Sequence, residues 1–160
     1  MMRIEQNEFE KTVNNYSDSM LRCAYTYCGN LTDAEDIVQE AFIRYLRKSP
    51  KFESETHKKA WLLRTVINLS KDLTRSFWHR KKTELTEDVI DESNSFKECE
   101  IRSAVQQLPE KFRIIVELYY GEGCTIEEIT KITGIKRSTV GDRLKRAREM
   151  LRKIYEEDQR

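Results

Sequence analysis

The sequence is poor in residues that make tight turns, with only 5 Gly and 2 Pro among 160 residues. Folds built from many short strands need frequent turns, so this scarcity disfavours an all-β architecture. No run approaches the roughly 18 apolar residues that a membrane-spanning helix requires. The first residues, MMRIEQNEFE, lack the apolar stretch and cleavage site of a signal peptide, so a cytoplasmic protein is expected.

A surplus of charge of one sign is also missing, because 29 Lys+Arg face 28 Asp+Glu for a formal net charge of +1. Only the local distribution of charge can therefore indicate a nucleic-acid partner. None of the four cysteines forms a CxxC pair, which does not favour a structural zinc site. Neither a metal nor a cofactor is expected. Reduced, mostly buried thiols are the simpler interpretation, and a response of Cys23 or Cys28 to oxidants stays open.

Apolar residues recur at intervals of three and four along the first half of the chain, which predicts amphipathic helices. Gly29 and Asn30 break the pattern between the first and the second helix. Thr32 and Glu35 have the spacing of a capping box and predict the start of the second helix. The apolar stripe of that helix consists of Ala34, Ile37, Val38, Ala41, Phe42, Tyr45 and Leu46.

Ser49-Pro50 is expected to end the second helix, since proline disfavours helical geometry in the residue before it. After a polar loop, a third helix is predicted from near Trp61 towards Lys82. The following segment, TELTEDVIDESN, has no sustained apolar period and carries acidic residues without a basic one. Such a like-charged stretch is most simply a solvated, flexible linker.

Helical pattern resumes after this linker, where Pro109 suits the first turn of a helix that stops at Gly121–Gly123. No strand of useful length and no internal repeat is present. The predicted fold class is therefore all-α, with two small helical domains joined by a flexible acidic linker. The expected boundaries are 1–82 for the first domain, 83–96 for the linker and 97–160 for the second domain.

The residues after Gly123 predict a helix–turn–helix. Thr125 and Glu128 form a second capping box before a short helix, and Gly134 permits the positive φ of the turn. A final helix then runs to about Glu156. Such a pair lets its second helix enter a major groove. The apolar residues expected to hold the two helices in place are Ile126, Ile129, Ile135, Val140, Leu144, Ala147 and Leu151.

The final helix has a local surplus of six positive charges, which favours DNA binding over an ordinary solvated basic face. Only Asp142 and Glu149 oppose its basic residues, which are Lys136, Arg137, Arg143, Lys145, Arg146, Arg148, Arg152 and Lys153.

The third helix has a second polar face, whose members are spaced i, i+4, i+7 and i+11: Arg64, Asn68, Lys71 and Arg75. Cations and an amide suit phosphates and base edges, although a merely solvated face is the alternative. The apolar residues Leu62, Val66, Leu69 and Leu73 lie on roughly the opposite face. Trp61 is expected to be a core residue.

The second helix carries paired carboxylates, because Asp36 and Glu40 share a face with Gln39 beside them. Paired carboxylates can bind a divalent metal or perform acid–base chemistry. No further ligand cluster and no phosphate-binding Gly loop accompanies them, so catalysis is not expected. A polar docking surface for a basic partner fits better.

Taken in order, the strings DAEDIVQEAFIRYLR and WLLRTVINLSKDLTR resemble region 2 of the extracytoplasmic-function (ECF) sigma factors. The string AVQQLPEKFRIIVELYYGEGCTIEEITKITGIKRSTVGDRLKRAREMLR is similar to region 4 of the same family. The resemblance covers most of residues 8–155 and leaves the linker unmatched. It implies a non-catalytic specificity subunit that directs promoter recognition, DNA melting and transcription initiation, in a stress or envelope response.

The resemblance also implies partners and site residues. The partners would be core RNA polymerase, through its β′ and β subunits, promoter DNA and an anti-sigma factor, without membrane insertion. Core polymerase would bind Asp36, Gln39, Glu40, Phe42 and Ile43. The unpaired −10 element would bind Lys51, Phe52, Arg64, Asn68, Lys71 and Arg75. The −35 element would bind Lys136, Arg137, Ser138, Thr139, Asp142, Arg143, Lys145 and Arg146.

The sequence departs from the family pattern on the recognition helix. Gly141 and Asp142 stand where the family usually places Lys or Arg and then Ser, and Lys136 stands where Ser or Pro is common. Two other functions remain as alternatives. A free-standing helix–turn–helix regulator would bind duplex DNA unaided, usually as a dimer. A carboxylate-dependent enzyme would lose turnover when Asp36 and Glu40 are replaced.

Overall fold

The computed structural model describes residues 4–80 and 103–158, apart from the side chains of residues 74–80 and 158. The chain divides into two compact units, Met1–Glu84 and Leu85–Arg160. All regular secondary structure in the described residues is helical, so the all-α prediction is confirmed. The segment predicted as the acidic linker, 83–96, lies outside the described residues.

The first unit consists of three helices that pack against one another. They are α1 (Gln6–Cys28), α2 (Leu31–Lys48) and α3 (Glu55–Arg80). Each contributes apolar side chains to a common core, in which Met20, Ala34, Tyr45, Leu62 and Ile67 are at most 1% exposed. Burial of these side chains is the main force that holds the three helices together, since most of the stability of helices in proteins comes from tertiary packing of an apolar face.

The turn between α1 and α2 differs from the predicted one. Gly29 adopts a left-handed φ of 66° and ends α1, as its sequence position indicates. The cap of α2, however, is Asn30, whose side chain accepts a hydrogen bond of 3.1 Å from the backbone N–H of Asp33. Thr32 and Glu35 therefore lie inside the helix, and the capping box predicted for them is wrong. Asparagine is itself among the best N-cap residues, so it starts the helix two residues earlier.

Helix α3 begins at Glu55, six residues before the predicted start at Trp61. The oxygen of Ser54 accepts a hydrogen bond of 3.1 Å from the backbone N–H of His57, which satisfies one of the free donors of the first turn. The first turn of α3 is polar, so a prediction based on the spacing of apolar residues did not include it. A second correction concerns Leu46, which was predicted in the apolar stripe of α2 but is 43% exposed.

In the described part of the second unit, a helical turn over 103–106 is followed by α4 (Glu110–Val116), a π-helical turn (Glu117–Gly121), α5 (Ile126–Thr133) and α6 (Arg137–Asp158). The π-helical turn interrupts the single helix predicted up to Gly121. Helix α6 packs on α4 and on α5. The core residues shared by α4 and α6 are Leu108, Phe112, Val116 and Ala147, flanked by Val105, Met150, Leu151 and Ile154.

Within residues 4–80 and 103–158, no helix has both the length and the apolarity needed to cross a membrane. Of the cysteines there, Cys23 and Cys124 are buried and Cys28 is half-buried. The same part of the chain has no group of three or more side chains that could hold a metal ion.

Candidate nucleic-acid interface

The helix–turn–helix of the second unit has the predicted local geometry. The oxygen of Thr125 accepts from the backbone N–H of Glu128 at 3.1 Å, and the Glu128 carboxylate accepts from the Thr125 N–H at 3.2 Å. This reciprocal capping box starts α5. Gly134 ends α5 with a φ of 78°, a region that residues with a Cβ rarely enter. Both predictions are confirmed.

Apolar contacts hold the recognition helix, α6, against the rest of the unit. Ile129 of α5 and Val140, Leu144 and Ala147 of α6 are at most 2% exposed. Three other residues predicted as anchors are only half-buried, namely Ile126, Ile135 and Leu151. The remaining face of α6 is left for solvent or for a ligand.

The exposed face of α6 is where the structure places most of the residues predicted to bind the −35 element. Thr139 and Arg143 are half-buried, and the others are exposed: Lys136, Arg137, Ser138, Asp142, Lys145 and Arg146. Two of the cations have acidic partners. Arg137 lies 3.4 Å from Glu127 of α5, and Arg146 lies 3.3 Å from Asp142 one turn earlier. Exposed pairs of this kind add little stability.

Arg148 has a different environment from the other cations of α6. Its guanidinium donates a hydrogen bond to the Tyr120 hydroxyl and lies 5.8 Å from the Tyr119 ring centroid and 5.7 Å from that of Tyr120. The hydrogen bond to Tyr120 is the main reason why the pKa of Arg148 is raised above its ordinary value. Arg148 therefore contacts the π-helical turn of its own unit, a role that helical spacing alone did not indicate.

A cationic cleft of about 210 Å³ lies between α2 and α3 in the first unit. It joins Arg64 and Asn68, two of the residues predicted to bind the −10 element, to two cations of α2 that were not predicted, Arg44 and Lys48. The other lining residues are Trp61 and Thr65. Sequence reasoning missed Arg44 and Lys48 because their i, i+4 spacing on α2 becomes informative only when α2 packs beside α3. Of the remaining predicted residues, Lys71 is half-buried and the side chain of Arg75 is not described.

The loop between α2 and α3 contains Lys51, which is exposed, and Phe52, which is half-buried. The Phe52 ring stacks on Tyr45 with centroids 6.4 Å apart and meets the edge of Trp61 at 6.0 Å. On its other side lies the His57 ring at 5.3 Å. Trp61 is half-buried, and its ring belongs both to this aromatic cluster and to the lining of the cleft. The prediction that Trp61 is a core residue is therefore only partly correct.

The acidic face of α2 exposes most of the residues predicted to bind core polymerase. Asp36 and Gln39 are exposed, and Ile43 is 40% exposed. Glu40 is half-buried and lies 3.8 Å from Arg44. The prediction for Phe42 needs correction, because this side chain is only 8% exposed and its ring packs edge-to-face on Phe9 at 5.9 Å. Phe42 therefore supports the surface from within the core and does not form part of it.

Both units match a known protein family. The sequence profile of Sigma-70 region 2 matches residues 12–80, and that of Sigma-70 region 4 matches residues 100–151. A curated relative from Bacillus subtilis (strain 168), the ECF RNA polymerase sigma factor SigW, is 30% identical over 171 residues, covering 93% of this chain and 89% of the relative. The chain belongs to the ECF family of RNA polymerase sigma factors.

Another relative and two solved structures are also similar to this chain. The ECF RNA polymerase sigma factor SigE of Mycolicibacterium smegmatis is 33% identical over 155 residues, which cover 90% of this sigma factor and 60% of the relative. This chain thus spans less than two thirds of that relative's length. Among solved structures, RpoE of Bartonella quintana in complex with the anti-sigma factor NepR has a TM-score of 0.80 at 20% identity, over 94% of this chain and 98% of that one. CnrH, solved with the cytosolic domain of CnrY, has a TM-score of 0.71 at 22% identity, over 96% and 91% of the two chains.

Proposed function

We propose that this sigma factor binds core RNA polymerase through the acidic face of α2, captures the unpaired −10 element in the first unit and reads the −35 element with α6. The observation that supports this division of roles is the distribution of charge. Helix α2 exposes carboxylates on one face, whereas the cleft beside α3 and the outer face of α6 expose cations. No chemical step by the chain itself is part of the proposal.

The proposed polymerase-binding surface combines Asp36, Gln39 and Ile43. A carboxylate and an amide can bind basic and polar groups of the partner, and the exposed Ile43 supplies apolar area beside them. Replacing Asp36 and Ile43 by Ala should weaken association with core polymerase. Asp18→Ala on α1 is the matched control, because Asp18 is an exposed carboxylate outside this surface. Equal weakening by both variants would contradict the proposed surface.

The proposed −10 site is the cleft between α2 and α3 together with the loop that carries Lys51 and Phe52. The cations Arg44, Lys48 and Arg64 suit the phosphates of a single strand, and the Trp61 ring next to them can stack on an unpaired base. Asn68 adds an amide that can donate to and accept from a base edge. Loop residues then reach bases that leave the stack, a step that costs a few kcal/mol in duplex DNA.

Transcription in vitro with purified core polymerase and a genomic template pool is the experiment that tests the function. Addition of the sigma factor should yield initiation from a specific set of promoters. Arg64→Ala and Lys71→Ala should slow open-complex formation, and templates whose −10 region is already unpaired should restore part of the rate. Arg146→Ala should instead weaken recruitment, with a smaller effect on promoters that depend little on the −35 element. Equal losses on every template would contradict the division of roles.

A free-standing regulator is the competing function, and the same purified protein distinguishes it. A regulator would bind a specific duplex without polymerase. The sigma factor is expected to show little specific binding alone, because the proposed −10 site needs an unpaired strand.

An anti-sigma partner is also part of the proposal, in keeping with the complex in which the Bartonella quintana RpoE was solved. Such a partner should cover surfaces that polymerase or DNA needs. It should therefore displace core polymerase from the purified sigma factor and silence transcription in vitro. A protein that binds without preventing either interaction would not be an anti-sigma factor.

A further inference from the structure

Asp142 is an unexpected residue on the proposed DNA-reading face of α6. A carboxylate that faces DNA repels the phosphates. In the structure, Oδ2 of Asp142 lies 3.3 Å from Nε of Arg146, and the two side chains remain 56% and 60% exposed. The pair thus lies on the surface proposed to bind the −35 element. Arg146, the basic member of the pair, is one of the residues proposed to bind that element.

The atoms that form the pair determine which N–H groups of Arg146 remain available to bind DNA. A guanidinium has five N–H groups, of which Nε carries one and the two terminal nitrogens carry four. Asp142 faces Nε, so the terminal nitrogens of Arg146 can still donate to another group. Two parallel donors match the O6 and N7 acceptors of guanine in the major groove. A phosphate, in contrast, competes with the carboxylate for the same positive charge.

We propose that Asp142 is a positioning residue that orients Arg146 for reading a guanine in the −35 element. This inference rests on the proposed function of α6. The ion pair restricts a side chain that otherwise samples many rotamers, and it partly neutralises a cation that would bind any phosphate. Arg146 then contributes to sequence discrimination more than to general affinity for DNA.

The backbone beside the pair is not crowded by other side chains. The residue before Asp142 is Gly141, and a Cβ added there would have no heavy atom within 4 Å among those considered. The helix surface next to the pair is therefore open. Gly141 and Asp142 are consistent with one arrangement, in which a small residue admits the base edge and an acidic residue orients the arginine towards it.

Holoenzyme reconstituted from core polymerase and the full sigma factor allows a direct test, with promoter fragments whose −35 segment is randomised. The unaltered protein should prefer guanine at one position, and Arg146→Ala should reduce that preference on the order of 5- to 100-fold. Asp142→Asn should reduce the same preference by roughly two- to fivefold, as expected for an exposed ion pair. It should also raise affinity for unmatched fragments and steepen the slope of log affinity against log salt by about one, because the released Arg146 can bind a phosphate.

Two controls make the test decisive. Glu149→Gln removes the same charge from the same helix outside the proposed reading residues, and it should leave the base preference unchanged. In an Arg146→Ala background, Asp142→Asn should cause no further loss of preference, since both act through one contact. If Asp142→Asn changes the preference at another base pair in that background, Asp142 reads DNA itself and the inference is wrong. If Arg146→Ala leaves every preference intact, the proposed base contact of Arg146 is wrong as well.

Discussion

The ammonium group of Lys58 lies 5.4 Å from the centroid of the Tyr45 ring, beneath the loop that carries Phe52. Lys58 is only 7% exposed, and its Nζ is 3.8 Å from a carboxylate oxygen of Glu8 on α1. One side chain of α3 therefore contacts both α1 and α2. Since a largely buried cation next to an aromatic face is stabilising, Lys58 anchors the first turn of α3 and the loop before it.

Replacing Lys58 should destabilise the first unit. Lys58→Met keeps most of the aliphatic chain and removes the charge, so the loss of the cation–π contact and the ion pair should lower the free energy of unfolding by about 1–2 kcal/mol. Tryptophan fluorescence during urea denaturation reports this unit, because both tryptophans, Trp61 and Trp78, belong to it. Lys51→Met in the exposed loop is the control and should change little. A Lys58→Met variant as stable as the control would show that the buried charge has no net effect.

Tyr16 is expected to ionise unusually late. Burial and, to a lesser extent, the Glu55 carboxylate, which accepts the hydrogen bond of this phenol, together raise its pKa from 10.0 to about 12. The neutral phenol is favoured in the folded state, so the stability it adds is complete below pH 10 and is lost as the pH rises towards 12. Ultraviolet titration should show one late tyrosine that disappears in Tyr16→Phe and shifts to lower pH in Glu55→Gln. A titration curve unchanged by Tyr16→Phe would contradict the assignment.

The start of α2 provides a paired test of its cap. Asn30→Ala removes the acceptor for the Asp33 N–H and should lower the stability of the first unit by about 1 kcal/mol. Thr32→Ala should have a much smaller effect, because Thr32 lies inside the helix and is exposed. Denaturation followed by tryptophan fluorescence measures both variants. The reverse order of effects would mean that the sequence-based capping box at Thr32 operates after all.

Gly141 and Gly134 should respond in opposite directions to alanine. Gly141 lies within α6 with open space at the position of a Cβ, so Gly141→Ala should stabilise the helix by about 1 kcal/mol. Gly134 has a φ of 78°, where a Cβ costs roughly 1–2 kcal/mol, so Gly134→Ala should destabilise the second unit. The melting temperatures of the two variants, measured on the full chain by circular dichroism, test this prediction. Destabilisation by Gly141→Ala would indicate that this glycine has a packing role in the folded protein.

Local signals explain the parts of the fold that the sequence predicted correctly. The capping box at Thr125, the turn at Gly134 and the stop at Ser49 each depend on residues a few positions apart, whose preferences are intrinsic to the chain. One error arose where a polar segment joins a helix. The first turn of α3 contains the buried Lys58 in place of an apolar residue, and periodicity does not count a cation as core.

The residues of the candidate site could likewise be predicted only where they follow from spacing along one helix. The α6 cations and the α3 face from Arg64 to Lys71 follow from spacing along single helices. Arg44 and Lys48 could not be assigned in this way, because their relation to Arg64 arises from the packing of two helices. Phe42 illustrates the opposite error, since a motif position suggested a docking residue whereas the Phe9 ring covers it.

By itself, the sequence determined that this protein is all-helical, where most of its helices end and which helix faces carry charge, because helical periodicity, caps and glycine turns act over short distances. Tertiary structure alone decided which charges on different helices share a surface. The cleft between α2 and α3 and the Lys58 contacts with Tyr45 and Glu8 depend on packing between segments far apart in the chain, where shape and burial select the partners.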